Sequence, residues 1–331
     1  MKIACWCHLD RDFVGNDEQV RSHIDRIVEA GIDILLPFVH FENEVWYQSD
    51  LNNLKGEDRF TRLLIAAKER GLQVQPTVLP ITDYGLSEVE RTRRSYQSGQ
   101  PGGNRADGRF CASWPETRKE GGLKIIQDIM AHHNVDGIHL DAIRYIDTGQ
   151  SLQWPCHCEA CRDRYRDLFG KDTLTADDLK VPGILQMFLN FRGENIRGLV
   201  EQVKSVVDEM GLTLSMASRA DYFGSALVEG QDWVQWARDG FMDFICPMNY
   251  STDREVHKER LSEQMSLIGK SVPIYDGIGR KSSAGEITPA TMIQQAEDAL
   301  QLGVSGVAIF HLAAMGDEDF RELGAFKKAN T

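Results

Sequence analysis

"VDGIHLDAIRYID", residues 135–147, opens as a buried strand and closes as something else. Val135, Ile138 and Leu140 are apolar, as the wall of a sheet requires. His139 and Asp141 stand two apart, where a strand sends both side chains to one face. A carboxylate turned into an apolar interior is costly unless a cation pairs with it or chemistry employs it. Arg144 could supply the cation, giving an interior ion pair of purely structural use. The other reading is a barrel strand whose C-terminal end carries catalytic groups.

The neighbouring sequence repeats the same unit, a strand followed by an amphipathic helix. Strands are expected at 2–8, 32–39, 72–79, 135–141, 212–218, 242–248, 271–278 and 304–311. Helical periodicity covers 17–30, 60–70, 115–133, 191–210, 231–239, 254–268, 289–302 and 317–328. The joints "EAGID", "ERGLQ", "EMGLT", "RDGFMD" and "QLGVSG" each put a glycine where a helix ends and a strand begins. Eight such α/β units predict a (β/α)8 TIM barrel, one domain over 1–331. An open doubly wound sheet is the weaker choice, because "CWCHLDRDFVGND" after the first strand holds no glycine-rich phosphate loop. The long connections all follow strands, at 40–59, 80–114, 142–190, 219–230 and 279–288. They build up the C-terminal rim, where a substrate is expected, with a loop insertion at about 142–190.

The 331 residues are 42% hydrophobic and 26% charged, and the formal net charge is −13. That balance argues against a nucleic acid or an anionic membrane surface as partner. Neither a signal-like h-region nor a run of about 18 apolar residues occurs, so the chain reads most simply as soluble and cytoplasmic. The oligomeric state is not legible.

"DGIHLDAIRYI" resembles the "DGIHLDYIRYP" block of glycoside-hydrolase-like barrels related to the bacterial peptidoglycan-glycan hydrolases. Residues 231–251, "QDWVQWARDGFMDFICPMNYS", resemble a second block of that group, matching at Trp233, Trp236, Gly240, Asp243, Ile245, Pro247, Met248 and Tyr250. The resemblance implies a barrel acting on carbohydrate, with Asp141 as a catalytic carboxylate, nucleophile or base. Glycosidic cleavage needs a second carboxyl group, about 5–5.5 Å away for retention or about 6.5–9.5 Å for inversion. Asp221 is the first choice for it and Asp276 the second; Asp10, Glu42 and Glu44 are further strand-end acids. His139, Arg144, Arg219, Asn249, Tyr250, His311, His8 and Glu42 are expected to contact substrate, although His139 reads equally as a satisfied core histidine. Trp46, Tyr47, Trp114, Trp154, Tyr222 and Phe223 offer aromatic faces, most of which are expected simply to pack loops.

Seven cysteines are an odd number for a disulfide scaffold. Cys5, Cys7 and Cys246 lie in apolar surroundings and read as buried thiols. "CHCEAC" places Cys156, Cys158 and Cys161 in the loop after strand four, and Cys111 lies in the loop after strand three. Adjacent strands bring those loops together, so a tetrahedral Zn²⁺ site is geometrically easy, with His157 able to replace Cys111. The arrangement resembles the structural zinc site of family forty-two β-galactosidases, and "FCASWPETRKE" resembles the segment around their first ligand. Those enzymes end strand four in Asn-Glu where this chain has Leu140-Asp141, so only the loop-stapling site carries over. Two other functions stay open: a divalent-metal sugar isomerase or aldolase using His139, Asp141, Asp276 and His311, and a non-catalytic carbohydrate-binding barrel.

Overall fold

Alternation within the strands decides which face each residue takes. In β1 (Lys2–His8) Ala4 and Trp6 point one way while Cys5 and Cys7 point the other. The same division runs through β2 (Ile34–Phe38), β5 (Thr213–Ser218), β6 (Phe244–Pro247), β7 (Tyr275–Gly279) and β8 (Gly306–Phe310). β3 comes in two pieces, Gln73–Val74 and Thr77–Val78, because Pro76 between them has no N–H to give the ladder. β4 is Gly137–Leu140. The computed structural model describes residues 1–41, 44–51, 53–81, 87–97, 110–145 and 152–330; Glu42 lies outside them.

All pairings in the main sheet are parallel, in the spatial order β6-β5-β4-β3-β2-β1-β8-β7. A parallel bridge from Ile245 to Ile274 joins the two ends, so eight strands close into a barrel. The closure is tight at Gly277, where an added Cβ would lie 2.2 Å from the Pro247 carbonyl oxygen. Only glycine fits there.

The helices between and after the strands are α1 (Asp17–Glu29), α2 (Arg59–Glu69), α3 (Pro115–His132), α4 (Pro182–Glu209), α5 (Trp233–Arg238), α6 (Arg254–Ile268), α7 (Pro289–Gln301) and α8 (Asp317–Ala329). Side-chain caps start many of them, among them an Asn16–Gln19 capping box and single caps from Asp58, Asp253 and Thr288. α4 begins nine residues before the expected start at 191, at a proline in the first turn. Pro is pre-organised for that position, a start signal the periodicity alone overlooked. Among the described residues, the loop helices Glu88–Arg94 and Glu159–Phe169 lie outside the repeat. No described helix is long and apolar enough to cross a membrane.

Two apolar bodies result. The larger fills the space between sheet and helices. The smaller, inside the barrel, contains Ala4, Trp6, Ile34, Leu36, Ala217, Phe244, Cys246 and Ala308, with Phe38, Met248, Tyr275 and Phe310 against it. Above that plug the strand ends meet their long loops.

Candidate active site at the barrel mouth

His139 lies inside the barrel and is fully buried. Trp6 Nε1 donates to its Nε2 at 3.1 Å, so the proton sits on Nδ1 and is shared with Ser215 Oγ at 2.8 Å. Ser215 donates onward to Gln75 Oε1 at 2.8 Å. Burial pushes His139 down to about 3, so the ring is neutral at any ordinary pH. It is a bonded layer beneath the mouth, the satisfied-histidine reading.

Asp141 is the next inward residue and reaches the mouth, its side chain 19% exposed. Its Oδ1 accepts from the Ala142 N–H at 2.6 Å and lies 3.7 Å from Arg144 Nη1. Ala142 holds φ +51°, a left-handed conformation that costs a non-glycine residue about 1–2 kcal/mol. Strain of this kind gathers at functional turns.

The cation next to Asp141 is shared. Arg144 Nε lies 3.3 Å from Glu229 Oε2, and Glu229 is gripped from its other side by Arg219, Nε at 2.7 Å and Nη2 at 3.0 Å. Glu229 is 1% exposed and Arg144 9%, so the charges form a chain, Asp141–Arg144–Glu229–Arg219, running from the mouth into the wall. The sequence reading missed Glu229. It lies eleven residues past the end of β5 and returns to the wall only through a capped π turn, Tyr222–Ala226. Its one signal is a lone carboxylate in the apolar run "ALVEG".

Aromatic groups form the opposite side. Tyr250 stacks on Phe310 at 5.2 Å between ring centroids and meets Trp6 edge-on at 6.5 Å. Burial, with the Asp141 charge adding, raises its phenol well above the ordinary value. His8 stacks on Phe38 at 4.8 Å and meets the His311 ring edge-on at 5.1 Å. Burial, then Arg11 and His311, push His8 down to about 4; burial and nearby cations also lower His311. Asp12, below the rim, accepts from the His8 N–H at 2.6 Å, and burial lifts its carboxyl to about 7.

Other expected site residues stand elsewhere. Asp276 and Asn249 face the helix layer and not the mouth. Asp276 lies 3.0 Å from His257 Nε2 of α6 and accepts from Asn249 Nδ2 at 2.8 Å, all three being fully buried. With Tyr275 turned inward, its neighbour Asp276 must turn outward. His139, Asp141, Asp276 and His311 therefore do not gather as an open metal site. Asp221 is exposed and caps the π turn through the Gly224 N–H at 2.8 Å. Glu44 pairs with Lys55 at the surface, and exposed Asp10 sits beside Arg11. Trp46, Tyr47 and Trp114 are buried in loop packing, Tyr222 packs against Trp233 and donates to Asp232, and Tyr96 donates to the Trp154 carbonyl. Phe223 alone of these aromatics is largely exposed, at 59%.

Behind the rim, Cys111, Cys156, Cys158 and Cys161 are all buried, with their sulfurs within 4.8 Å of one another. Cys111 and Cys161 sulfurs stand 3.5 Å apart, near the ~3.8 Å that Zn–S bonds of about 2.3 Å impose in a tetrahedron. The Gln97 N–H points at Cys156 Sγ, 3.2 Å away. Cys158 occupies the N-cap of the Glu159–Phe169 helix yet makes no side-chain cap bond, leaving its sulfur to the cluster. His157 Nε2 instead lies 3.2 Å from the Leu174 carbonyl. The donor set fits one thiophilic ion such as Zn²⁺, held by four cysteines with no open position.

No protein-family model and no curated protein matches the sequence. Solved structures do. The glycoside hydrolase domain of PgaB (BpsB) from Bordetella bronchiseptica aligns with a TM-score of 0.72 over 99% of this chain and 97% of that one, at 14% identity. The barrel has the fold of glycoside hydrolases. The catalytic domain of β-amylase from Paenibacillus polymyxa aligns over the same shares with a TM-score of 0.68 at 12% identity. Gan42B, a GH42 β-galactosidase from G. stearothermophilus, gives 0.68 over 99% of this chain and 56% of that one, at 8% identity. The likeness is one of fold, and residue roles have to come from the site itself.

Proposed function

We propose that this barrel is a glycoside hydrolase-like enzyme that cleaves a glycosidic bond with Asp141 as nucleophile or base. One observation carries the reading. Of the three acids singled out for catalysis, Asp141 alone both reaches the mouth and is held by a cation that a buried carboxylate in turn fixes. A carboxylate oriented from two sides, by Arg144 and the Ala142 N–H, keeps its geometry through a reaction. Tyr250, His8 and His311 border the same opening and supply aromatic faces and ring donors of the kind sugars require. Glu229 suits positioning, since it is buried and its carboxylate oxygens are taken up by Arg144 and Arg219. Asp221, on the loop after β5, is the proposed partner carboxyl. Cys111, Cys156, Cys158 and Cys161 hold a structural Zn²⁺ in this reading.

The test is Asp141→Asn assayed on a panel of aryl glycosides and oligosaccharides. Turnover should vanish while the circular dichroism spectrum and the melting temperature stay near those of the parent. Full activity in the variant removes Asp141 from the chemistry. The cap bond that engages Asp221 favours one second reading, a barrel that binds glycans without cleaving them. Glycan binding in calorimetry, with no product across the panel, would select it.

A further inference from the structure

The four-cysteine cluster and the charged chain at the mouth are joined by a continuous line of hydrogen bonds. Ser113 Oγ lies 3.3 Å from Cys111 Sγ and 3.1 Å from Cys161 Sγ. It also lies 3.1 Å from the Tyr145 hydroxyl, which accepts from Asn195 Nδ2 at 3.0 Å. Tyr145 directly follows Arg144 in the chain, and its own N–H donates to the Glu229 carbonyl at 2.8 Å. The Arg192 guanidinium covers the Tyr145 ring at 4.2 Å and donates to the Val228 carbonyl at 2.8 Å. Tyr145 is 4% exposed. Tyr145 thus reaches the thiol cluster through its hydroxyl and Ser113, and the Glu229 segment through its backbone N–H.

Proton counting gives this line a direction. The Asn195 amide fills one lone pair of the Tyr145 oxygen, so the Tyr145 O–H is free to donate to Ser113. Ser113 Oγ in turn lies within hydrogen-bond distance of the Cys111 and Cys161 sulfurs, and either side can donate. Thiolates accept such a bond well, whereas thiols would bring S–H donors of their own to the serine oxygen. Thiolates buried together are tolerable only when a cation neutralises them. A metal on the sulfurs therefore turns the Ser113 hydroxyl toward them, and its loss reverses that bond.

We infer that Tyr145 and Ser113 are positioning residues that couple metal occupancy of the four-cysteine site to the placement of Arg144 and Glu229 beside Asp141. The inference rests on the cysteines binding Zn²⁺, and goes beyond a local staple for the loop. Loss of the metal frees Ser113, then the Tyr145 ring, then the Tyr145–Glu229 backbone bond. The segments that loosen are residues 142–145 and 226–231, which carry Arg144 and Glu229.

Hydrogen exchange on the full chain, read by mass spectrometry with one Zn²⁺ bound or withdrawn by a chelator, tests this without any substrate. Withdrawal should speed exchange in 142–145 and 226–231 by about tenfold or more, as for a unit whose local opening is released. Tyr145→Phe should speed the same segments while keeping one Zn²⁺. Ser113→Ala should lower Zn²⁺ affinity by about 10–100-fold in competition with a chromogenic chelator, as for other groups that orient metal ligands. Changes confined to 110–113 and 156–161 would overturn the coupling and leave the metal site standing. Failure of the wild-type chain to bind Zn²⁺ would overturn both. If withdrawal unfolds the whole chain, Tyr145→Phe with Zn²⁺ bound decides alone: unchanged exchange in 142–145 overturns the coupling.

Discussion

The Glu229 clamp makes a quantitative demand. Glu229→Gln keeps the volume of the side chain and removes the charge that two guanidinium groups share. It also turns an amide N–H toward donors that have no use for one. Breaking a buried pair costs about 3–5 kcal/mol, and Arg144 at 9% exposure is in that regime. Arg219 is 29% exposed, so water recovers part of its share and the lower end, about 3 kcal/mol, is expected. A double-mutant cycle with Arg219→Gln isolates the bidentate contact. Its coupling energy should be about 2 kcal/mol, within the range of hydrogen bonds to charged groups. Urea unfolding followed by circular dichroism and fluorescence, with coincident transitions, supplies the free energies. Turnover should fall too, because Arg144 released from Glu229 moves onto Asp141, and a shift of about 1 Å costs up to about 10²-fold. A coupling energy below about 0.5 kcal/mol would show that the buried geometry carries no energy and would refute the clamp.

Two further outcomes follow from the placement of other acids. Asp276→Ala should cost about 3 kcal/mol by stripping a buried partner from His257, yet leave kcat of the folded fraction unchanged; a large kcat loss at normal stability would return Asp276 to the chemistry. Asp12, raised to about 7 from an ordinary 3.8, binds its proton more tightly in the folded chain, so its contribution is full below about pH 4 and is lost as pH climbs through 7. Asp12→Asn keeps the acceptor for the His8 N–H and should stabilise the protein at pH 8 by about 1–4 kcal/mol while doing little at pH 4. A variant less stable than the parent at pH 8 would contradict that sign.

The barrel was legible because its signals are local. Period-two alternation and helical periodicity act over a few residues and agree with one another eight times over, and glycine joints mark five of the turns between them. The cysteine cluster was legible for a related reason. Three thiols within six residues can hardly avoid each other, and adjacent strands carry Cys111 to them. Asp141 could be placed because the apolar residues around it set the strand's face.

Asp276 shows where such reasoning fails. In "PIYDGIG" one step of frame exchanges the inside of the barrel for its outside, and only the packing of Tyr275 against the inner plug fixes the frame. Glu229 shows a second limit. Its role depends on where a twelve-residue connection brings its end, and nothing periodic encodes that path.

The amino-acid sequence alone thus determined the repeat, the strand that delivers Asp141 and the thiols that meet behind it. Those features depend on neighbours in the chain and on the two periods of regular backbone. Tertiary structure alone decided which carboxylates face the mouth, which sit behind the sheet, and that Glu229 and Tyr145 tie the mouth to the cysteine cluster. Charges and hydrogen bonds act over a few ångströms of space, and residues 85 apart such as Arg144 and Glu229 acquire that distance only when the barrel closes.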